Sequence, residues 1–114
     1  MPRFAILTHD HPFWHWDVLL EKEAVLRAWR VLAAPDSLGP LALEPLPDHR
    51  MLYLDYEGPV SGDRGEVRQW DAGTYEMVTE SEVQLIVDLQ GRRLRGRFCL
   101  TQSAVGWNWQ QLPP

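Results

Sequence analysis

The chain has 114 residues, a formal net charge of −5, 45% hydrophobic and 24% charged side chains. That length makes one domain, residues 1–114, with a single modest core, and the composition is that of a folded globular protein rather than a disordered one. No apolar run approaches the roughly 20 residues that span a bilayer, and the acidic balance weighs against a broad, sequence-independent grip on nucleic acid.

The first residues, MPRFAILTHDHP, contain a short apolar patch but nothing of the length of a signal-peptide core, so a cytoplasmic protein without membrane contact is expected. The single cysteine, Cys99, fits a reducing compartment and, between Phe98 and Leu100, reads as a small buried hydrophobe. Strands are expected over residues 4–8, 14–21, 24–32, 50–56, 65–70, 74–79, 83–89, 92–101 and 106–112. Residues 21–23, 71–73 and 90–91 fall where hairpin connections belong, which favours antiparallel neighbours. Residues 33–47, with Pro35, Pro40, Pro45 and Pro47, read as one long irregular connection with room for a helical turn near Asp36. The fold class is therefore all-β and mainly antiparallel, with little helix.

Chemistry concentrates in THDHPFWHWDVLLE. Three of the four histidines and two aspartates lie within residues 9–17. On a strand, His15, Asp17 and Leu19 share one face while Trp14, Trp16, Val18 and Leu20 share the other, so one face looks chemical and the other looks like packing. Side chains two apart on a strand start about 6.5 to 7 Å from one another at Cα and can converge on one ion. Imidazole with carboxylate suits manganese, ferrous iron or zinc. His9 or His11 can supply the third ligand on spacing alone.

Further along, His49 precedes Tyr53 by four residues, an imidazole and a phenol that can meet one anionic group if the segment brings them together. In GRRLRGRFCL, alternation sets Arg93, Arg95 and Arg97 on one strand face, read as a solvated outer surface or, more sharply, as a track for phosphates. Six tryptophans are many for this length, and most are expected to pack in the core or the wall of the sheet.

The order HDHPFWHWDVLLE, LRAWRV, DHRMLYLDYEG, GEVRQWDAGTYE, GRRLRGRFCL and NWQQL resembles the 3′-phosphoesterase domain of bacterial DNA ligase D over nearly the whole chain. The resemblance implies a small closed or nearly closed antiparallel β-barrel. It further implies a Mn²⁺-dependent site, or one using another divalent transition metal such as Zn²⁺, that removes a 3′-phosphate or trims a 3′-terminal ribonucleotide. Carried over by position, His9, His15 and Asp17 are the metal ligands, and His49 and Tyr53 are catalytic and phosphate-binding, with His49 a proton donor to the leaving oxygen. Nucleic-acid 3′ ends and DNA-repair proteins are the implied partners.

The sequence also departs from that pattern. The family's arginine two residues beyond the aspartate is Leu19 here, which cannot offer the bidentate fork of a guanidinium. Its lysine after the Trp-x-Val segment corresponds to Ala33 or Ala34, another basic position falls near Leu41, and its charged N-terminal arm has no counterpart before His9. A second expectation therefore stands beside the enzyme: a catalytically degenerate domain retained as a metal-binding interaction module.

Overall fold

Alternation along the first three strands gives one sheet two apolar faces. In β1 (Arg3–His9), β2 (His15–Lys22) and β3 (Val25–Val31), the residues Phe4, Ile6, Val18, Leu20, Trp29 and Val31 lie on one side. Ala5, Leu7, Leu19, Leu26 and Ala28 lie on the other. Hairpin pairing in register, Phe4 with Leu20 and Val18 with Trp29, holds each set on its own face.

The structure, a computed structural model, describes residues 1–113. Beyond β3 the chain adds β4 (Leu41–His49), β5 (Gly58–Pro59), β6 (Glu66–Glu80), β7 (Gln84–Gly91), β8 (Arg95–Ser103) and β9 (Gly106–Gln111). The sheet runs β1-β2-β3-β4-β9-β8-β7-β6, and β6 pairs back onto β1, so eight antiparallel strands close into a barrel with β5 as a two-residue extension beside β6. Closure leaves few unpaired edges in a domain this small. The first set of side chains fills the interior with Leu43, Tyr75, Leu85, Val87, Leu89, Leu94, Phe98, Leu100 and Trp109. Trp109 stacks on Phe98 at 4.9 Å and donates its indole N–H to the Pro35 carbonyl at 3.0 Å, so it is a core residue, as expected for most of the tryptophans.

The second set stays outside the barrel. A single 3-10 turn, Met51–Leu54, and the loop after it lay Leu54 and Val60 over Ala5, Leu7, Leu19, Leu26 and Ala28, with Tyr53 and Tyr56 at the margin. No helix among the described residues is long and apolar enough to cross a membrane.

Three sequence expectations change. Residues 41–47, expected as part of the irregular connection, belong to β4, because beyond Leu43 this strand pairs only with β3 and its prolines sit on an otherwise unpaired flank. Residues 50–56, expected as a strand, form the 3-10 turn and its exit. Residues 71–73, expected as a hairpin, lie within β6, which turns the corner from β1 to β7. Gly73 is required there by closeness rather than by a turn, since a Cβ would collide with the Gln90 carbonyl.

Candidate metal and phosphate site

The outer face that carries Ala5, Leu7 and Leu19 changes character at the loop end of the β1–β2 hairpin, beside the 10–14 connection. His9 stands directly across from His15, Leu7 across from Asp17, and Asp17 across from Arg30 on β3. A step of two residues along each strand thus leads from apolar cluster to polar side chains on the same face. His15 is fully buried, Asp17 is 2% exposed and His9 is half-buried.

Backbone carbonyls fix both imidazoles. His9 Nε2 lies 2.8 Å from the Arg64 carbonyl and His15 Nδ1 lies 2.8 Å from the Phe13 carbonyl. Since a carbonyl only accepts, those nitrogens carry the hydrogens, and the lone pairs of His9 Nδ1 and His15 Nε2 are left facing Asp17. The separations to its two carboxylate oxygens are 3.3 and 2.9 Å. His15 Nε2 and Asp17 Oδ1 have no hydrogen-bond partner despite that approach. One ligand atom from each of the three residues lies within 4.8 Å of the others. Buried acceptors turned toward one another are costly unless a proton or a cation lies among them. Two neutral imidazoles and a carboxylate, with each imidazole anchored from behind by a carbonyl, fit a divalent transition metal.

This cluster opens into a cavity of about 660 Å³ whose walls include His49, Tyr53, Arg30, Arg50 and Arg64. His49 ends β4, and its Nδ1 donates to the Pro47 carbonyl at 2.9 Å, which leaves Nε2 available. The Tyr53 ring, presented by the 3-10 turn, meets it edge-on at 5.8 Å. All five residues singled out in the sequence therefore share one cavity. His11 lies at its rim, exposed, with its ring 6.4 Å from that of His9 and outside the converging group.

The family model described as the DNA Ligase D 3′-phosphoesterase domain matches residues 7–102. The chain belongs to the DNA ligase D 3′-phosphoesterase domain family. Among its relatives, the multifunctional non-homologous end joining protein LigD of Mycobacterium bovis is 34% identical over 110 residues, which cover 88% of this chain and 14% of that protein. The protein of the same name from Pseudomonas aeruginosa is 28% identical over 112 residues, covering 89% of this chain and 13% of that protein. The chain spans about one seventh of the length of these relatives.

Against the pattern of this family, Leu19 is no hole in the cavity wall. It is fully buried in the outer apolar cluster, and neither it nor Ala33, Ala34 or Leu41 lines the cavity. The arginines of β8 and its preceding turn lie elsewhere. Arg93 covers the Trp70 ring at 4.6 Å, Arg95 donates to the Gly91 carbonyl at 3.0 Å, and Arg97 pairs with Asp88 at 2.8 Å. That last pair raises the Arg97 guanidinium and lowers the Asp88 carboxyl relative to their ordinary values, mainly through the hydrogen bond between them. They form a solvated outer face.

Sequence reasoning missed residues 61–65. Arg64 anchors His9 through its carbonyl and lines the cavity with its side chain. Gly65, at φ 77°, lets this loop press against the β1–β2 connection, where a Cβ would overlap the Asp10 carboxylate and come 2.7 Å from His11 Cβ. The Asp10 carboxylate holds the next amide, of Glu66, at 2.8 Å. The one signal was the density of turn formers in SGDRG, which marks a loop without saying what it touches.

Proposed function

We propose that this domain is a divalent-metal phosphoesterase acting on nucleic-acid 3′ ends, releasing a terminal ribonucleoside to leave a 3′-phosphate and hydrolysing a 3′-phosphate to leave a 3′-hydroxyl. The observation that carries the reading is the pair of unpartnered atoms, His15 Nε2 and Asp17 Oδ1, 2.9 Å apart at the floor of a cavity that also holds His49 and Tyr53. Membership of the family, and relatives whose names specify non-homologous end joining, support the substrate class.

In this reading His9 Nδ1, His15 Nε2 and the Asp17 carboxylate hold Mn²⁺, or a similar ion such as Zn²⁺. When bound, such an ion polarises a phosphoryl oxygen and lowers the pKa of a coordinated water. The carbonyls of Phe13 and Arg64 keep the two lone pairs on the metal side. For a 3′-phosphate, a water oxygen bonds to phosphorus as the P–O3′ bond breaks; Tyr53 would donate its phenolic hydrogen to a phosphoryl oxygen, and His49 would deliver a proton from Nε2 to the leaving O3′. The rings' edge-on contact limits how far either can turn away.

The test is an assay with Mn²⁺ on DNA duplexes ending in a 3′-phosphate or a 3′-ribonucleotide. Expected is metal-dependent release, lost in Asp17→Ala and reduced about 10²- to 10⁴-fold in His49→Ala. The buried Leu19 favours a second reading, a metal-binding interaction module without catalysis. Manganese binding with no release from either duplex would select it.

A further inference from the structure

With Leu19 sealed in the apolar cluster, a guanidinium for the phosphate has to come from another strand, and three arginines reach the cavity. Arg64 is committed to its own loop, donating to the Ser61 carbonyl at 2.7 Å and to the Ser61 hydroxyl at 3.1 Å. Arg50 is exposed at the entrance to the 3-10 turn. Arg30 differs from both. It is the cross-strand partner of Asp17, and only 20% of its side chain is exposed. Its Nε is buried without a hydrogen-bond partner.

The surroundings of Arg30 orient the group without satisfying it. Its guanidinium carbon lies 5.2 Å from the centre of the Phe13 ring, and Phe13 is also the residue whose carbonyl anchors His15. The acid beside it, Glu44, is 3.8 Å away, and the glutamate side chain is 65% exposed. A buried charged donor left unmet is unfavourable, whereas an anion accepting from the fork relieves it. We propose that Arg30 is the phosphate-binding residue of this domain, contacting the terminal phosphate from β3 in place of an arginine at position 19. The proposal rests on the reading of this cavity as a phosphoesterase site. It adds that the guanidinium has moved one strand sideways, so that the metal group and the phosphate group face each other across the β2–β3 pair.

The experiment separates the two claims by titrating Mn²⁺ alone and inorganic phosphate, with and without Mn²⁺, into the wild type, Arg30→Gln, Arg30→Lys, Asp17→Ala and Arg97→Gln. Expected for Arg30→Gln is a loss of about ten- to a hundredfold in phosphate affinity, with manganese affinity within about threefold of wild type. Arg30→Lys, which keeps the charge and the stem and so protects the fold, falls between the two because it lacks the fork. Arg97→Gln, whose side chain is exposed, paired with Asp88 and not part of the cavity lining, binds phosphate as the wild type does. The proposal is overturned if the wild type binds no phosphate, if folded Arg30→Gln binds it undiminished, or if Arg97→Gln loses as much. A wild type that binds no Mn²⁺, or Asp17→Ala that binds it equally well, overturns the metal reading instead, and the phosphate titrations without metal still decide Arg30.

Discussion

Replacing Leu19 by arginine, the obvious way to restore the family's pattern, is expected to unfold the domain rather than to improve the site. Leu19 is 0% exposed and lies between Ala5 on β1 and Ala28 on β3, beneath Leu54 and Val60. Truncating such a side chain to alanine costs about 2–5 kcal/mol, and placing an unpaired charge in the same space costs several kcal/mol more. The sum, about 5 kcal/mol or more, rivals the total of about 5–15 kcal/mol that holds a domain together. At about 4 °C or more for each kcal/mol in a domain of this size, Leu19→Arg melts roughly 20 °C lower or shows no cooperative transition. Leu19→Ala should fall between it and wild type, and Leu19→Met close to wild type, at a cost below about 1.5 kcal/mol. Thermal unfolding followed by circular dichroism reads the series. A Leu19→Arg variant that melts near wild type and gains phosphatase activity would refute the argument, because position 19 would then reach the cavity.

Manganese at about a hundred times its Kd should raise the melting temperature of the wild type by about 10 °C, a gain removed by a chelator and missing in Asp17→Ala; an unchanged melting temperature counts against a metal at His9, His15 and Asp17. Asp71→Ala should cost about 3 kcal/mol or more in urea titrations, because the buried carboxylate accepts from the amides of Ala72, Arg92, Arg93 and Leu94 at 2.7 to 3.0 Å. Asp71→Asn, retaining one acceptor oxygen, should cost less. Burial raises the Tyr75 phenol above its ordinary value, and its hydroxyl donates to the Glu21 carbonyl at 2.7 Å. A raised folded-state value means stability that is complete below about pH 10 and lost as the pH climbs through the folded value, so Tyr75→Phe should flatten the alkaline limb of melting temperature against pH.

Strands β1, β2 and β3 were legible because hydrophobic alternation and a short connection carry the whole signal. The faces of β2 came out as expected from residue 15 on, with His15, Asp17 and Leu19 opposite Trp16, Val18 and Leu20, whereas Trp14, expected on the packing face, precedes the strand and is exposed. What failed were segments whose local chemistry serves a distant neighbour. Asp71 looks like a turn residue because aspartate binds nearby amides, but three of the amides it binds belong to the connection between β7 and β8. Pro45 and Pro47 look like strand breakers, yet along that half of β4 only β3 is paired, so a missing donor can be tolerated. Met51–Leu54 carries apolar residues too few to separate strand from turn by period. At the site, residue types with the resemblance pointed to His9, His15, Asp17, His49 and Tyr53, but neither could say that Leu19 is covered or that Arg30 stands beside Asp17.

That division follows from where the barrel puts its two kinds of surface. The interior needs side chains from all eight strands to interlock, so substitutions there propagate through close packing. The cavity is built on the outside of the wall, from β1, β2 and β3 and the 46–65 segment laid across them. On that outer face, Leu19 and Ala28 lie under the cover and Leu7 at its edge, while His9, Asp17 and Arg30, two residues nearer the site on each strand, line the cavity. Where the cover ends therefore decides which positions can carry charge. A cover that packs Leu54 and Val60 over position 19 leaves no room for a guanidinium there, and the same segment holds the His9 imidazole through the Arg64 carbonyl, while Arg30 on β3 lines the cavity beside Asp17. The covering segment therefore does two things at once, excluding charge at position 19 and fixing the His9 imidazole through the Arg64 carbonyl, so its packing and the geometry of the His9, His15 and Asp17 group are coupled.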